Sequence, residues 1–454
     1  MKRSTLAFFL VGIALFAAAM ACNLTAERPP TIVPRATDTP LPTIGYATLS
    51  PTELPQQVST PFVPSDASLI NLLNQVESDR LFVHVDTLQA FGTRHINSGT
   101  GPTQGINGAN NYITSQFEAI GAQSNGNLQI FPQAFEVDWA GVTTMQENII
   151  AIINGNEVGT GAILIGAHYD SVSNDPEDGL AFAPGANDNA TGVAAMLEIA
   201  RIMALREHRS TIIFVAFSAE EQGRLGSIAF VREYVQAQQI PLDAVINLDI
   251  IGSQTGPNGS INDGEIRLFS AGPNDSASRH LAREINLIAF NNVPNMVVTM
   301  QDAEDRPERY SDHMSFSNVG YPAVRFIEAL EESYRQHTDR DTLDDVQSSY
   351  LTDATRTVLA VTTALADGPR PPRNIGLNQN LDNTRTLTWE RVPDAASYII
   401  ALRRPNSLIY QQIEVGETSV TWDRFVSTEF VALALAAKDR SGLMGPLSEE
   451  VIIP

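Results

Sequence analysis

Several side chains in this sequence have the types and spacing needed to hold a divalent cation. Within GAILIGAHYDSVSNDPEDGLAFAPGANDNATG (161–192), a short apolar run, Ala162 to Gly166, ends in His168 and Asp170, and a polar loop then delivers Asp188. Further on, STIIFVAFSAEEQG ends in Glu220-Glu221, DAVINLDIIGS carries Asp249, and a polar stretch near the end of the domain carries His337. Imidazole and carboxylate suit Zn²⁺ or a similar ion. Each residue alone has an ordinary reading. A lone His is more often a hydrogen-bonded structural residue, Asp188 could cap a helix, and Glu220-Glu221 could open one, favoured by its dipole. His337 could sit on a surface loop. Asp249 fits this picture less well, because a buried carboxylate is costly without a partner. Asp170 would alternate to the other face of a regular strand. At a strand end, however, the chain can bend and let it support the imidazole, as carboxylates commonly do for metal-bound His.

The elements around these residues predict an α/β fold, a mostly parallel sheet flanked by helices, followed by a small all-β sandwich. Segments 67–90 and 107–121 read as helices and Asn148–Ile153 as a strand. The strands ending at His168, Glu220-Glu221 and Asp249 alternate with helices. Strands at Ile266–Ser270 and Met296–Met300, a helix around 276–290 and a helix over 349–366 complete the pattern. Open α/β sheets place their ligand crevice at the carboxyl ends of their strands, where His168 and the acids recur. The domain is expected to span 67–366. A Pro-rich break (367–374, DGPRPPRN) separates it from 375–454, where LTWERVPDAASYIIALRRP, SVTWDRF and STEFVALALAAKD alternate like sandwich strands. Trp389 and Tyr398 resemble core positions of a fibronectin type III domain.

The 454-residue chain carries a formal net charge of −23, which argues against nucleic acid as a partner and against electrostatic attachment to anionic lipid. Residues 1–22 have the form of an export signal: Lys2 and Arg3, then an apolar stretch, then small residues. Cys22 is the chain's one cysteine. Its placement resembles a bacterial lipoprotein signal, although Ala19 stands where such signals usually carry Leu. The implied location is the outer side of the cell membrane, held by a lipid on Cys22, and cleavage after Ala19-Met-Ala21 with simple secretion is the alternative. Residues 23–66, rich in Pro and Thr, read as an extended tether. With a single Cys, no intrachain disulfide can staple the fold.

GAHYDS, APGANDNATG, FSAEEQGRLGS, INLD, YSDHMSF with GYPA, and HTDRDTL follow one another in an order and spacing that resemble the M28 family of zinc peptidases, which includes bacterial leucyl aminopeptidases. The resemblance covers about 67–366, with its specific motifs in 162–343. It implies two Zn²⁺ ions (Co²⁺ or Mn²⁺ could occupy the same donors) bridged by Asp188, one completed by His168 and Asp249 and the other by Glu221 and His337. It also implies Glu220 as general base, Asp170 as the residue orienting His168, and metal-assisted hydrolysis of peptides. Asp312 and His313 are expected to support or wall the substrate pocket, and Tyr310, Phe316 and Phe326 are candidates to line it.

Three other functions compete with an aminopeptidase. The family fold also serves carboxypeptidases and single-zinc glutaminyl cyclases; a carboxypeptidase needs a cationic clamp for a terminal carboxylate, and Arg306, Arg309 and Arg325 are near enough to supply one. A non-catalytic surface binding protein would lack ligands, whereas here all five are present. A cell-surface partner for the C-terminal sandwich stays open, because a sandwich alone does not state its function.

Overall fold

The computed structural model describes residues 67–454 apart from 100, 294, 307 and 308. The export signal, Cys22 and the Pro/Thr-rich stretch lie outside the described residues. Two short helices, α1 (Ala67–Leu73) and α2 (Ser78–Gln89), stand where one was expected over 67–90. The helix breaks because the Glu77 N–H is taken by the buried carboxylate of Glu198 at 2.8 Å instead of a carbonyl one turn back. After α3 (Gly105–Gln123) come β1 (Leu128–Trp139) and β2 (Val142–Ile153), paired as a long antiparallel hairpin. The sequence reading recognised only the end of β2. β1 is polar at only half of its exposed positions and contains Pro132, which an edge strand tolerates.

The centre of the sheet follows from apolar runs buried on both faces. β3 (Ala162–His168), β4 (Ile212–Phe217), β5 (Leu242–Leu248) and, after β6 (Glu265–Ser270) and β7 (Val297–Met300), β8 (Ala323–Glu328) form a sheet of order β1-β2-β4-β3-β5-β8-β6-β7. The middle four strands run parallel, in the order β4-β3-β5-β8. The hairpin on one side and the β6–β8 pair on the other are antiparallel. α4 (Thr191–Met203) follows β3 and is buried on nearly every face. α5 (Leu225–Phe230), α6 (Ala277–Asn292), α7 (His313–Ser317) and α8 (Ser348–Asp367) complete the layers. Among the described residues, no helix is long and apolar enough to cross a membrane.

The register brings the site residues to one level. His168 pairs with Phe217, three residues before Glu220, and Gly166 pairs with Asn247, two residues before Asp249. The parallel strands therefore end along one edge of the crevice.

Beyond α8 the chain forms two antiparallel sheets. One holds β9 (Gly376–Gln379), β10 (Arg385–Thr388) and β13 (Ser419–Trp422); the other holds β11 (Ala395–Arg403), β12 (Tyr410–Val415), β14 (Ala432–Asp439) and β15 (Val451–Ile452). Trp389 and Tyr398 meet edge to face at 5.3 Å within the shared core, and the Tyr398 hydroxyl accepts the Val392 N–H. The sandwich rests on α6 through polar contacts: Tyr410 Oη lies 2.9 Å from His280 Nδ1, and the Leu447 N–H donates to Glu284 at 2.6 Å.

Candidate metal centre and active site

His168 leaves the end of β3 with its imidazole buried and Nε2 3.4 Å from both Asp188 Oδ1 and Asp249 Oδ1. On the other side of Asp188, Oδ2 lies 3.4 Å from His337 Nε2, which in turn is 3.1 Å from Glu221 Oε2. Asp188 therefore stands between two imidazoles, one at each carboxylate oxygen. Donor atoms of His168, Asp188 and Glu221 all fall within 4.8 Å of one another, and Glu221 Oε1 is buried with no hydrogen-bond partner. A buried orphan oxygen among convergent acids and imidazoles is the surrounding a divalent cation satisfies. The residues fit zinc.

The electrostatics agree. Burial opposes charge on His168, yet Asp249 and Glu220 hold its pKa well above the ordinary value. The charge of Glu221 lifts His337 to about 11. Asp188 is held well below the carboxylate range by His168 and His337, against the effect of burial. Burial pushes Glu220 well above its usual value, and the neighbouring acids Asp312, Glu221 and Asp249 add to this. The crevice demands positive charge.

The Asp188 loop is fixed from three directions. Gly185, at φ 55, has no room for a Cβ: one would lie 2.5 Å from Asp188 O and 2.8 Å from Arg94 Nη2. The wholly buried guanidinium of Arg94 donates to Tyr169 O, Pro184 O and Gly185 O, tying the end of β3 to this loop. Asp341 accepts the N–H groups of Asn187 at 2.7 Å and Asp188 at 2.9 Å. Asn189 bonds Leu248 O and Ile250 N–H, joining the loop to the end of β5.

Asp170 does more than the sequence suggested. Its Oδ1 is 3.5 Å from His168 Nδ1, while its two oxygens accept the N–H groups of Glu220 and Glu221 at 3.1 and 3.0 Å. One carboxylate thus sets both a candidate ligand and the turn that carries Glu220 and Glu221. Ala219, Ile250 and His337 adopt left-handed backbone, φ 57, 62 and 59, a conformation costing non-glycine residues roughly 1–2 kcal/mol. Two of these flank Glu220 and Asp249, and the third is itself a candidate ligand.

Other assignments change. Tyr310 reaches the crevice, together with Arg224, Arg306 and Arg309. Asp312 and His313 do not touch it; both are completely buried, so a direct substrate contact is replaced by a supporting position. His313 Nε2 faces Glu304 O at 3.1 Å, and burial lowers its pKa to about 4. Asp312 is pushed up to about 7 by burial. Phe316 and Phe326 are core residues, Phe316 packing on Phe217 and Phe230. Arg325, offered as a possible carboxylate clamp, is fully buried and committed to Asp249 Oδ2 (3.0 Å) and Asp305 Oδ1 (2.7 Å). It leaves Asp249 Oδ1 turned toward His168.

Residues the sequence reading left unassigned include Arg94, Asn189, Asp305, Glu328 and Asp341. Asp341 and Asn189 stand inside the quoted motifs HTDRDTL and APGANDNATG, so proximity to ligands was an available signal. Arg94 sits in FGTRHINS, far from the other motifs in sequence, and nothing there marks it.

Comparison with known proteins gives the same picture. A probable zinc metalloprotease of Pyrenophora tritici-repentis is 32% identical over 364 residues, covering 72% of this chain and 82% of that one. Among solved structures, the LapA aminopeptidase of Legionella pneumophila aligns with a TM-score of 0.52 at 21% identity, covering 67% of this chain and 77% of that one. A glutaminyl cyclase of Bacteroides thetaiotaomicron, bound to N-acetylhistamine, aligns at 0.50 and 21% identity over 63% and 97%. At such identities the structural matches establish the fold alone. The profile of peptidase family M28 matches residues 148–362, the stretch that supplies every candidate ligand. With the extent of the Pyrenophora match, this makes the chain a member of peptidase family M28, a zinc metallopeptidase.

Proposed function

We propose that the chain is an exported aminopeptidase that uses two zinc ions to release the first residue of peptides. The observation that carries this reading is the position of Asp188, whose two oxygens each face a different imidazole, with Asp249 on one side and Glu221 on the other. His168, Asp188 and Asp249 would hold one ion; Asp188, Glu221 and His337 would hold the second. Zinc at these donors supplies Lewis acidity toward the scissile carbonyl and toward an attacking water. Glu220 lines the same crevice but is needed by neither donor set. It is the group free to take a proton from the water and return it to the leaving amine, a role worth ~10²–10⁴-fold. Asp170 holds Glu220 in place through its backbone N–H.

Against a single-zinc cyclase stands the complete set of five donors, and the same completeness argues against a non-catalytic scaffold. Export and lipidation at Cys22 rest on the N-terminal sequence, peptides are the proposed substrates, and the C-terminal sandwich is proposed as fibronectin type III-like. Elemental analysis of the purified protein, with a panel of aminoacyl chromogenic amides, tests the reading. Two zinc ions per chain and chelator-sensitive release of the amine are expected. One zinc ion per chain, or two without amide hydrolysis, would overturn it.

A further inference from the structure

Three guanidinium groups, of Arg224, Arg306 and Arg309, line the same crevice as the acids. Arg309 is about one third exposed; its guanidinium lies 3.4 Å from Asp188 Oδ2 and from His337 Nε2 and also donates to Gln336. Arg306 is paired with Glu331. Arg224, half-buried at the mouth, forms no ion pair among the described residues. Tyr310 is the one aromatic side chain that reaches the cavity, which measures about 260 Å³, and no aliphatic residue lines it among the described residues. A pocket that selects leucine or phenylalanine does so by burying apolar surface. Here Tyr310 is the one large apolar group among the described residues that line it.

From this arrangement we infer that the pocket binds a carboxylate carried by the residue that is released, with Arg309 as its main contact. The inference rests on the peptidase reading above. Among the described residues Arg309 has one carboxylate within reach, Asp188, and the cations of a loaded centre would engage that group's charge. The guanidinium would then be left beside a neutral amide, Gln336, on the lining of the crevice. A planar, permanently charged fork in that position matches a carboxylate in both shape and charge. Two sources share this chemistry: the side chain of an N-terminal Glu or Asp, or the α-carboxylate of a C-terminal residue.

The test uses the full zinc-loaded chain. Glutamyl, aspartyl and leucyl p-nitroanilides are compared with an N-acetylated peptide that ends in a free or an amidated carboxyl. Binding of L-glutamate and L-leucine is measured by calorimetry, which reads the subsite without turnover. Glutamyl and aspartyl amides are expected to exceed leucyl in kcat/KM by about tenfold or more. Arg309→Leu should lower that ratio by about 10–100-fold, mostly through KM, as loss of a charge-assisted bond does. Arg309→Lys should recover part of it, and zinc content shows that the centre survives each change. Arg224→Ala, farther from the ligands, should lower the ratio less. Cleavage of the acetylated peptide with a free carboxyl, but not of its amide, would assign the carboxylate to the C-terminal source. Leucyl turnover that exceeds glutamyl and does not respond to Arg309→Leu would overturn the inference and leave the peptidase reading intact. Arg309-dependent binding of glutamate with no hydrolysis of any substrate would do the reverse.

Discussion

Glu284 tests how the C-terminal sandwich is held, away from the metal centre. It projects from α6 into the contact with the sandwich, 7% exposed, and accepts the Leu447 N–H at 2.6 Å. Burial pushes its carboxyl up to about 8, and the negative charges of Asp243 and Glu449 act in the same direction. In the unfolded chain it titrates near the ordinary 4.5. The folded state therefore binds this proton more tightly than the unfolded state. The stability that results is fully present below about pH 4.5 and is lost as the pH climbs through about 8. At ~1.4 kcal/mol per pH unit this interval corresponds to about 5 kcal/mol, an upper bound. Water reaching the ionised group lowers it to roughly 2–4 kcal/mol. Glu284→Gln keeps an oxygen for the Leu447 N–H and removes the charge. Thermal melting should find the variant and the parent together at pH 4 and the variant higher by several degrees at pH 8.5, since ~1 kcal/mol moves a melting point by about 2–4 °C at the upper end of domain size. Coincident curves at both pH values, or a less stable variant at pH 8.5, would refute the argument.

Three further outcomes are expected at the crevice. Glu220→Gln should keep its zinc and lose about 10²–10⁴-fold in kcat; full activity with metal bound would remove Glu220 from the mechanism. Asp188→Ala should lose both ions together, read by elemental analysis, and two ions retained would refute the bridge. Arg94→Leu leaves the carbonyls of Tyr169, Pro184 and Gly185 without their donor, at about 1–3 kcal/mol for each buried group that water does not reach. It should lower both the melting temperature and zinc affinity, and unchanged zinc affinity in a folded variant would separate Arg94 from the site.

What could be read from the sequence depended on how local its cause was. The buried parallel strands announce themselves as apolar runs, and His168, Glu220, Glu221 and Asp249 follow because three of those runs stop at a His or an acid, whereas Asp188 and His337 sit in loops and were legible through the motifs around them. The β1 edge strand escaped because half its side chains face water and Pro132 interrupts it. Asp312 and His313 were expected to support or wall the pocket because they fall in the YSDHMSF motif. The short helix α7 that starts at His313 turns both inward. Arg94 and Asp341 lie beyond local reasoning, since each acts on a loop more than 90 residues away.

The same contrast explains why the acids and the guanidinium groups of the crevice differ. Glu220, Glu221 and Asp249 lie just beyond the ends of the parallel strands, so pairing across the sheet brings them together, and Asp188 joins them from a loop tied to β3, β5 and Asp341. The guanidinium groups have no such frame. Arg224 follows the turn that carries Glu220 and Glu221, whereas Arg306 and Arg309 come from the segment between β7 and α7, held by ion pairs and side-chain contacts. Changing Arg309 alters one side chain on that segment, but changing Asp188 removes a residue whose loop is tied to β3, β5 and the Asp341 stretch. If the guanidinium groups set selectivity as inferred, the released residue's preference should change under single substitutions that leave the candidate zinc donors in place.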